Sequence, residues 1–441
     1  MTISFTKSCD YSIAALLYFL LIFSPFAFGG VQIFPLTIIE SASFFILFIW
    51  QVKRISGQPS PISKASFWIP AILFLFLVNF QLAPLPRVIL GSFSSKHLYI
   101  FTTFIPAEAL PKAQYCLTVC KASTVHKLFE LLSYLSVFFV LLNILETKKQ
   151  LEHLILLIIA MGFLVSIIGM ANNFTYPFIN KNHFAGYMEM TSFLAVGYLL
   201  TGLDKRKRII FSFVAIVMIL GLFLSLSRGG LLCFLFSLGI MFYLLRLRKA
   251  IRRKSLLIAG IIAFTFLFMI IVGAEPFLER VSTIFKKETV SADARWNIWK
   301  DTLRIIPDFP LFGAGFGTFR NIYPMYKTFI VQASVLQAHN DFLQLISETG
   351  FLGLALAFWF LYSFFKNVFV AWQSQHHPFI KGIVLGGGCG VLSLLLHSFF
   401  DFNLQIPANA LLLVVLMAVV WKSANIKKEG QDVNIKSAVY P

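Results

Sequence analysis

At about twelve places the chain stays apolar for roughly 17–25 residues, the length a helix needs to cross a lipid bilayer. The runs lie near 11–28, 31–50, 66–83, 128–145, 151–170, 184–203, 208–226, 229–246, 255–273, 342–365, 380–400 and 406–421. A backbone inside lipid must satisfy every polar group internally, so runs of this kind fold as α-helices packed on one another. The expected fold is all-α, a polytopic membrane protein of about twelve transmembrane helices. With 58% hydrophobic residues, 51 Phe and only 13% charged residues, the chain has lipid, not water, as its solvent. The first run reads as a span, since no small-x-small cleavage site precedes Gly29 and Gly30 and another span follows at once.

The formal net charge of +18 suggests a nucleic-acid binder only until the charges are placed. With Lys7 taken as inside, alternate connections hold Lys53, Arg54 and Lys64, then Lys148 and Lys149, then 204-DKRKR-208. The series continues through 246-RLRKAIRRK-254, Lys366 with Lys381, and a tail with Lys422, Lys427, Lys428 and Lys436. Short connections on the other side hold only Lys181 and Arg228. This positive-inside pattern places both termini in the cytoplasm and assigns the charge to topology, not to nucleic acid. Single-domain organisation over 1–441 is expected, with outer segments at 84–127 and 274–340 and a cytoplasmic tail at 422–441.

On that topology the polar clusters all fall on the outer side. They are 180-NKNHFAG-186, 225-SLSRGG-230, 293-DARWNIWKDTLRIIPDFPLFGAGFGTF-319, 338-AHNDFLQLISETG-350 and 397-HSFFDFNLQIPANA-410. In the fourth, Asn340, Asp341, Gln344, Ser347 and Glu348 share one helical stripe directly before an almost wholly apolar run. Such a stripe must face protein or a water-filled cavity. The plainer alternative is a polar seam that only packs helices together.

Arg228 ends one span and opens a Gly229–Gly230 turn, and its planar fork suits phosphate oxygens. Snorkelling to headgroups is the competing reading. Arg295 opens an amphipathic segment whose Trp296, Trp299 and Leu303 also suit the membrane interface. It is the candidate for a second phosphate or sugar contact. The glycines of 313-GAGFG-317 offer backbone N–H groups to a ligand, without the strand-turn-helix context of a dinucleotide or P-loop motif. His339 is the candidate general base, with Asp341 or Glu348 to tune it. Asn182, His183 and His397 are further candidates for contact with substrate, and Asp401, four residues after His397, is placed to orient that histidine. No CxxC or HExxH is present, so no metal or cofactor is expected. Cys116 and Cys120, four apart in an outer segment, suit a strained bridge in a loop and none in a helix.

Together these motifs resemble the O-antigen ligase superfamily, which includes O-antigen polymerases and bacterial protein O-oligosaccharyltransferases. The resemblance runs from about Asn172 to Ala410, with H-N-x-x-L-x-x-x-x-E-x-G at His339–Gly350 its most specific part. N-x-N-H-F-A-G at 180–186 and S-R-G-G at 227–230 match in type and order. Lys181 stands where Arg is common. The resemblance implies a bacterial inner-membrane enzyme with a periplasmic active site. It implies inverting, metal-independent glycosyl transfer from an undecaprenyl-diphosphate-linked glycan. Arg228 and Arg295 would hold the diphosphate and His339 would serve the acceptor hydroxyl. A ligase using a lipid A–core acceptor is the first expectation. A polymerase using the same donor or a protein glycosyltransferase is the alternative. Glu40, Glu130 and Glu189 keep a transporter in view.

Overall fold

The computed structural model describes residues 2–57, 62–104, 114–247, 256, 258–265, 267, 289–329, 334–375 and 377–425. Parts of the expected segments at 84–127, 255–273, 274–340 and 422–441 therefore lie outside the described residues. Among the described residues the regular structure is all helical, with no strand. The expectation of an all-α membrane protein holds.

Nine helices among the described residues are long and apolar enough to cross a membrane. In chain order α1 is Thr2–Phe26, α2 Ile33–Ser56, α3 Trp68–Leu82, α4 Arg87–Phe93 and α5 Ser95–Phe104. Next come α6 (Lys121–Ile144), α7 (Lys148–Ala171), α8 (Lys181–Leu199), α9 (Lys205–Leu224) and α10 (Arg228–Arg246). The remainder are α11 (Thr289–Ile305), α12 (Phe319–Ile322), α13 (Asp341–Ser374), α14 (Pro378–His397) and α15 (Pro407–Asn425). Three expected spans differ from those nine. The run near 66–83 forms the 15-residue α3, and 258–265 are helical within a run only partly described. The run near 184–203 forms α8, which is long enough to span but is not among the nine.

The position of α8 explains its composition. Every residue from His183 to Leu199 is buried, so the helix meets protein on all sides and has no need of a lipid-compatible surface. Its main partner is α14. The two backbones touch where Gly197 faces Gly382 and Gly386: a Cβ on Gly197 would sit 2.5 Å from the Gly382 carbonyl oxygen. Close approach through small residues is how helices pack where lipid removes the usual hydrophobic drive. Around this pair, α7, α9, α10 and α15 complete the centre, and α1 and α2 pack with α6 at one side.

The helix α13 is two pieces. Gly350 adopts φ 65°, which interrupts the helical path, and a Cβ there would lie 2.3 Å from the Leu311 carbonyl oxygen. The polar stripe of Asn340–Glu348 thus occupies a short piece of its own, and the apolar span begins after the break. The stripe is buried against protein, as its composition requires.

Candidate active site at the α13 and α14 ends

The residue that gathers the site is Asp401, in the connection between α14 and α15. Its side chain is fully buried. One oxygen accepts from Asn182 Nδ2 at 2.5 Å and from Arg295 at 3.2 Å. The other faces His339 Nδ1 at 3.2 Å and accepts the Phe402 N–H. Three chain segments far apart in sequence, at 182, 295 and 339, therefore converge on one carboxylate. Burial alone raises the pKa of such a group. Here the hydrogen bond from His339 and the charge of Arg295 outweigh it, and they hold the carboxyl well below the ordinary range.

His339 is held through its backbone, its ring and Nδ1. Its backbone takes φ 52°, the left-handed region that non-glycine residues seldom occupy. The Trp299 indole N–H donates to its carbonyl at 3.2 Å. Its ring stands edge-on to Phe402, with centroids 4.7 Å apart. With Nδ1 donating to Asp401, the tautomer leaves Nε2 as an acceptor. Nε2 has no hydrogen-bond partner among the described residues, and the side chain is 28% exposed. A part-exposed imidazole with a fixed tautomer and a free acceptor nitrogen is equipped to take a proton.

Arg295 is anchored by two bonds, to Asp401 and to the Phe400 carbonyl at 3.2 Å. Arg228 is the first residue of α10 and is exposed. Its guanidinium has no hydrogen bond or ion pair among the described residues. The residue after it, Gly229, packs against Phe400: a Cβ there would lie 3.3 Å from Phe400 Cβ. Arg295 thus bonds the Phe400–Asp401 turn directly, and Arg228 is the residue before the glycine that packs on Phe400. Asp293 is helical, but its side chain lies outside the described residues.

Other expected residues are engaged within the fold. Asn340 caps α13, accepting from the Phe342 and Leu343 N–H groups at 3.0 and 2.9 Å. Asp341 accepts from Leu404 N–H at 2.9 Å and Gln405 at 3.2 Å, which ties the α14–α15 connection to α13. Glu348 accepts from the Gly317 and Phe319 N–H groups at 2.8 and 3.1 Å and from Gln344 at 3.1 Å. The expected ligand cradle at 313–317 is therefore a seam against α13. Its N–H groups at Ala314 and Gly315 also bond Ser347 and Glu348 carbonyls. Gln81 completes the seam from α3, donating to Phe312 and Glu348 carbonyls and accepting from Phe316 N–H.

His397 corrects the expected pairing. It bonds Glu189 at 2.8 Å, and Ser393 donates to the same carboxylate at 2.7 Å. Asp401 serves His339 instead. The reason is helical geometry: His397 is the last residue of α14, and its side chain points into the bundle, where α8 brings Glu189. His183, also buried, likewise stands edge-on to Phe402, with ring centroids 4.7 Å apart. Glu130 is paired with Lys127 at 2.9 Å. All five cysteines are free thiols, Cys116 and Cys120 included. Among the described residues no three His, Cys, Asp or Glu side chains converge as metal ligands.

The hub at Asp401 was hidden in the sequence because it is long-range: its partners lie 219, 106 and 62 residues away. A buried-type acid among aromatics, in 399-FFDFN-403, was the available signal.

No curated protein matches the chain. Residues 213–358 match the model of the family described as O-Antigen ligase. That stretch includes Arg228, Arg295, His339 and the break at Gly350. Over this stretch, about a third of its length, the chain is similar to the O-antigen ligase family, whose members are glycosyltransferase-like enzymes acting on lipid-linked glycans.

Proposed function

We propose that this membrane protein transfers a glycan from undecaprenyl diphosphate to a hydroxyl of a lipid A–core acceptor, as an O-antigen ligase. The observation that carries the reading is the His339–Asp401–Arg295 cluster, with the unpaired Arg228 preceding Gly229, which packs against Phe400. In the proposed step the acceptor oxygen attacks the anomeric carbon of the donor sugar. The bond from that carbon to the diphosphate oxygen breaks, with inversion. The acceptor proton passes to His339 Nε2, and Asp401 stabilises the imidazolium that forms. Arg228 and the outward edge of Arg295 bind the diphosphate and the negative charge it gains on departure, a task that two guanidinium groups can carry without a metal. Asn182 and Asp401 fix Arg295 and His339 relative to each other. The positive-inside distribution supports an inner-membrane location with both termini cytoplasmic and this site facing the periplasm.

The test is analysis of surface glycan and lipid-linked intermediates in a deletion strain. Bare core with accumulated lipid-linked glycan is expected. Core capped by a single repeat unit marks a polymerase and overturns the acceptor assignment. An unglycosylated protein with normal core marks a protein glycosyltransferase. Unchanged glycans overturn the transfer reading as a whole.

A further inference from the structure

Distinct from the Asp401 cluster but reaching the same α14–α15 connection, α3, α6, α13 and α15 line an open-sided cavity of about 300 Å³. Its walls include Leu131, Leu135, Phe138, Leu345, Leu413 and Met417. Among the described residues, charged groups meet it only toward the end where α6 and α13 begin, at Lys127, Glu130, Asp341 and Glu348. From Lys127 to Phe138 along α6 is about 16 Å, at about 1.5 Å per residue. That is roughly half of a ~30 Å hydrocarbon core. The cavity therefore has the polarity profile of one leaflet: charged near the surface and apolar toward mid-membrane.

The charges at the polar end discriminate among lipids. Asp341 and Glu348 already accept from N–H groups of the fold. What remains is the Lys127–Glu130 pair, with Nζ 2.9 Å from both carboxylate oxygens, Tyr134 Oη donating to Glu130 Oε1 at 3.2 Å, and Lys127 still partly exposed. A headgroup bearing both signs complements this pair, phosphate toward Lys127 and ammonium toward Glu130. A purely anionic headgroup sets its charge against Glu130 as well as beside Lys127. We propose that this cavity binds one zwitterionic phospholipid, with an acyl chain in the apolar slot and its headgroup on Lys127 and Glu130. The proposal rests on the cavity and is independent of glycosyl transfer. A seated chain also braces Leu404 and Gln405, which line the same cavity three and four residues beyond Asp401.

The experiment uses the full chain in nanodiscs containing phosphatidylethanolamine, phosphatidylglycerol and undecaprenyl phosphate. Bound lipid is identified by native mass spectrometry. A phosphatidylethanolamine with a diazirine in its acyl chain then maps contacts by photolabelling. Expected are retention of one phosphatidylethanolamine and labels on α6, α13 and α15 peptides from the cavity wall. Ala357→Phe, which fills the slot, loses both, while Glu130→Gln shifts retention toward phosphatidylglycerol. Preferential retention of phosphatidylglycerol or undecaprenyl phosphate by the unaltered chain overturns the proposal. So do labels spread evenly over lipid-facing helices, or undiminished retention by a folded Ala357→Phe. Should Ala357→Phe fail to elute as a single species, the labelling map of the unaltered chain decides alone.

Discussion

Asp401 illustrates how a single buried charge organises a site. A buried carboxylate without partners is costly, and this one offsets the cost with a guanidinium, an amide and an imidazole. Removing its charge should therefore act at two places. Asp401→Asn is expected to lower glycan transfer by about 10²-fold or more, because His339 loses its fixed tautomer and Arg295 its anchor. Transfer assays in membranes of matched protein content check this; a variant within a few-fold of the unaltered protein disproves the hub role. His339→Ala is expected to cost about 10²–10⁴-fold, the usual contribution of a general base. The expectation fails if reconstituted vesicles carrying the variant transfer glycan nearly as fast as the parent protein. In that event the cluster is a structural clamp and the base lies elsewhere.

Among the elements, the broken helix α13 and the 313–317 turn act as one unit. The turn approaches so closely that a Cβ on Gly313 would lie 2.1 Å from the Glu348 carbonyl carbon. Positive φ at Gly313, Gly315 and Gly317 bends the chain tightly enough to present N–H groups to Glu348. Glu348→Gln places an amide N–H₂ where an N–H donor needs an acceptor. The expected loss is about 1–3 kcal/mol, read as a lower thermal midpoint in detergent. An unchanged midpoint would mean that the seam contributes little. On the α5 side, burial pushes His97 down to about 4 from its ordinary 6.5, while its ring packs on Phe309. A lowered histidine pKa means that the unfolded chain takes up the proton first as pH falls. The stability from burying neutral His97 is thus complete above about 6.5 and declines as pH drops toward about 4. Thermal midpoints across that window should fall for the unaltered protein and fall less for His97→Gln; parallel curves refute the assignment.

For the whole molecule, the α8–α14 crossing sets the frame. Both helices carry residues of the polar level, Asn182 and Glu189 on one and His397 on the other, so their spacing fixes which groups meet. Gly386→Leu inserts a side chain where a Cβ already lies 2.5 Å from Gly197 Cα. Forced separation of two packed helices typically costs about 1–3 kcal/mol or more. The variant should elute as aggregate or melt at markedly lower temperature on fluorescence-detected gel filtration. A stable, monodisperse Gly386→Leu protein removes the crossing from its central place.

Much of this was legible in residue order. Apolar run length dictates helices in lipid, because no other open structure satisfies the backbone there. The polar stripe of Asn340–Glu348 announced a protein-facing surface, and 180–186, 227–230 and 339–350 marked the segments that meet near it. What the sequence left undecided was pairing. Asp401 stands four residues from His397, the spacing of helical neighbours, yet α14 ends at His397, so the two side chains leave in different directions. His397 turns to Glu189 of α8, and Asp401 reaches His339 and Arg295. Local periodicity is a property of one segment and can be read from it. The partner of a buried charge depends on which distant helices the crossing brings together, and only the tertiary structure decides that.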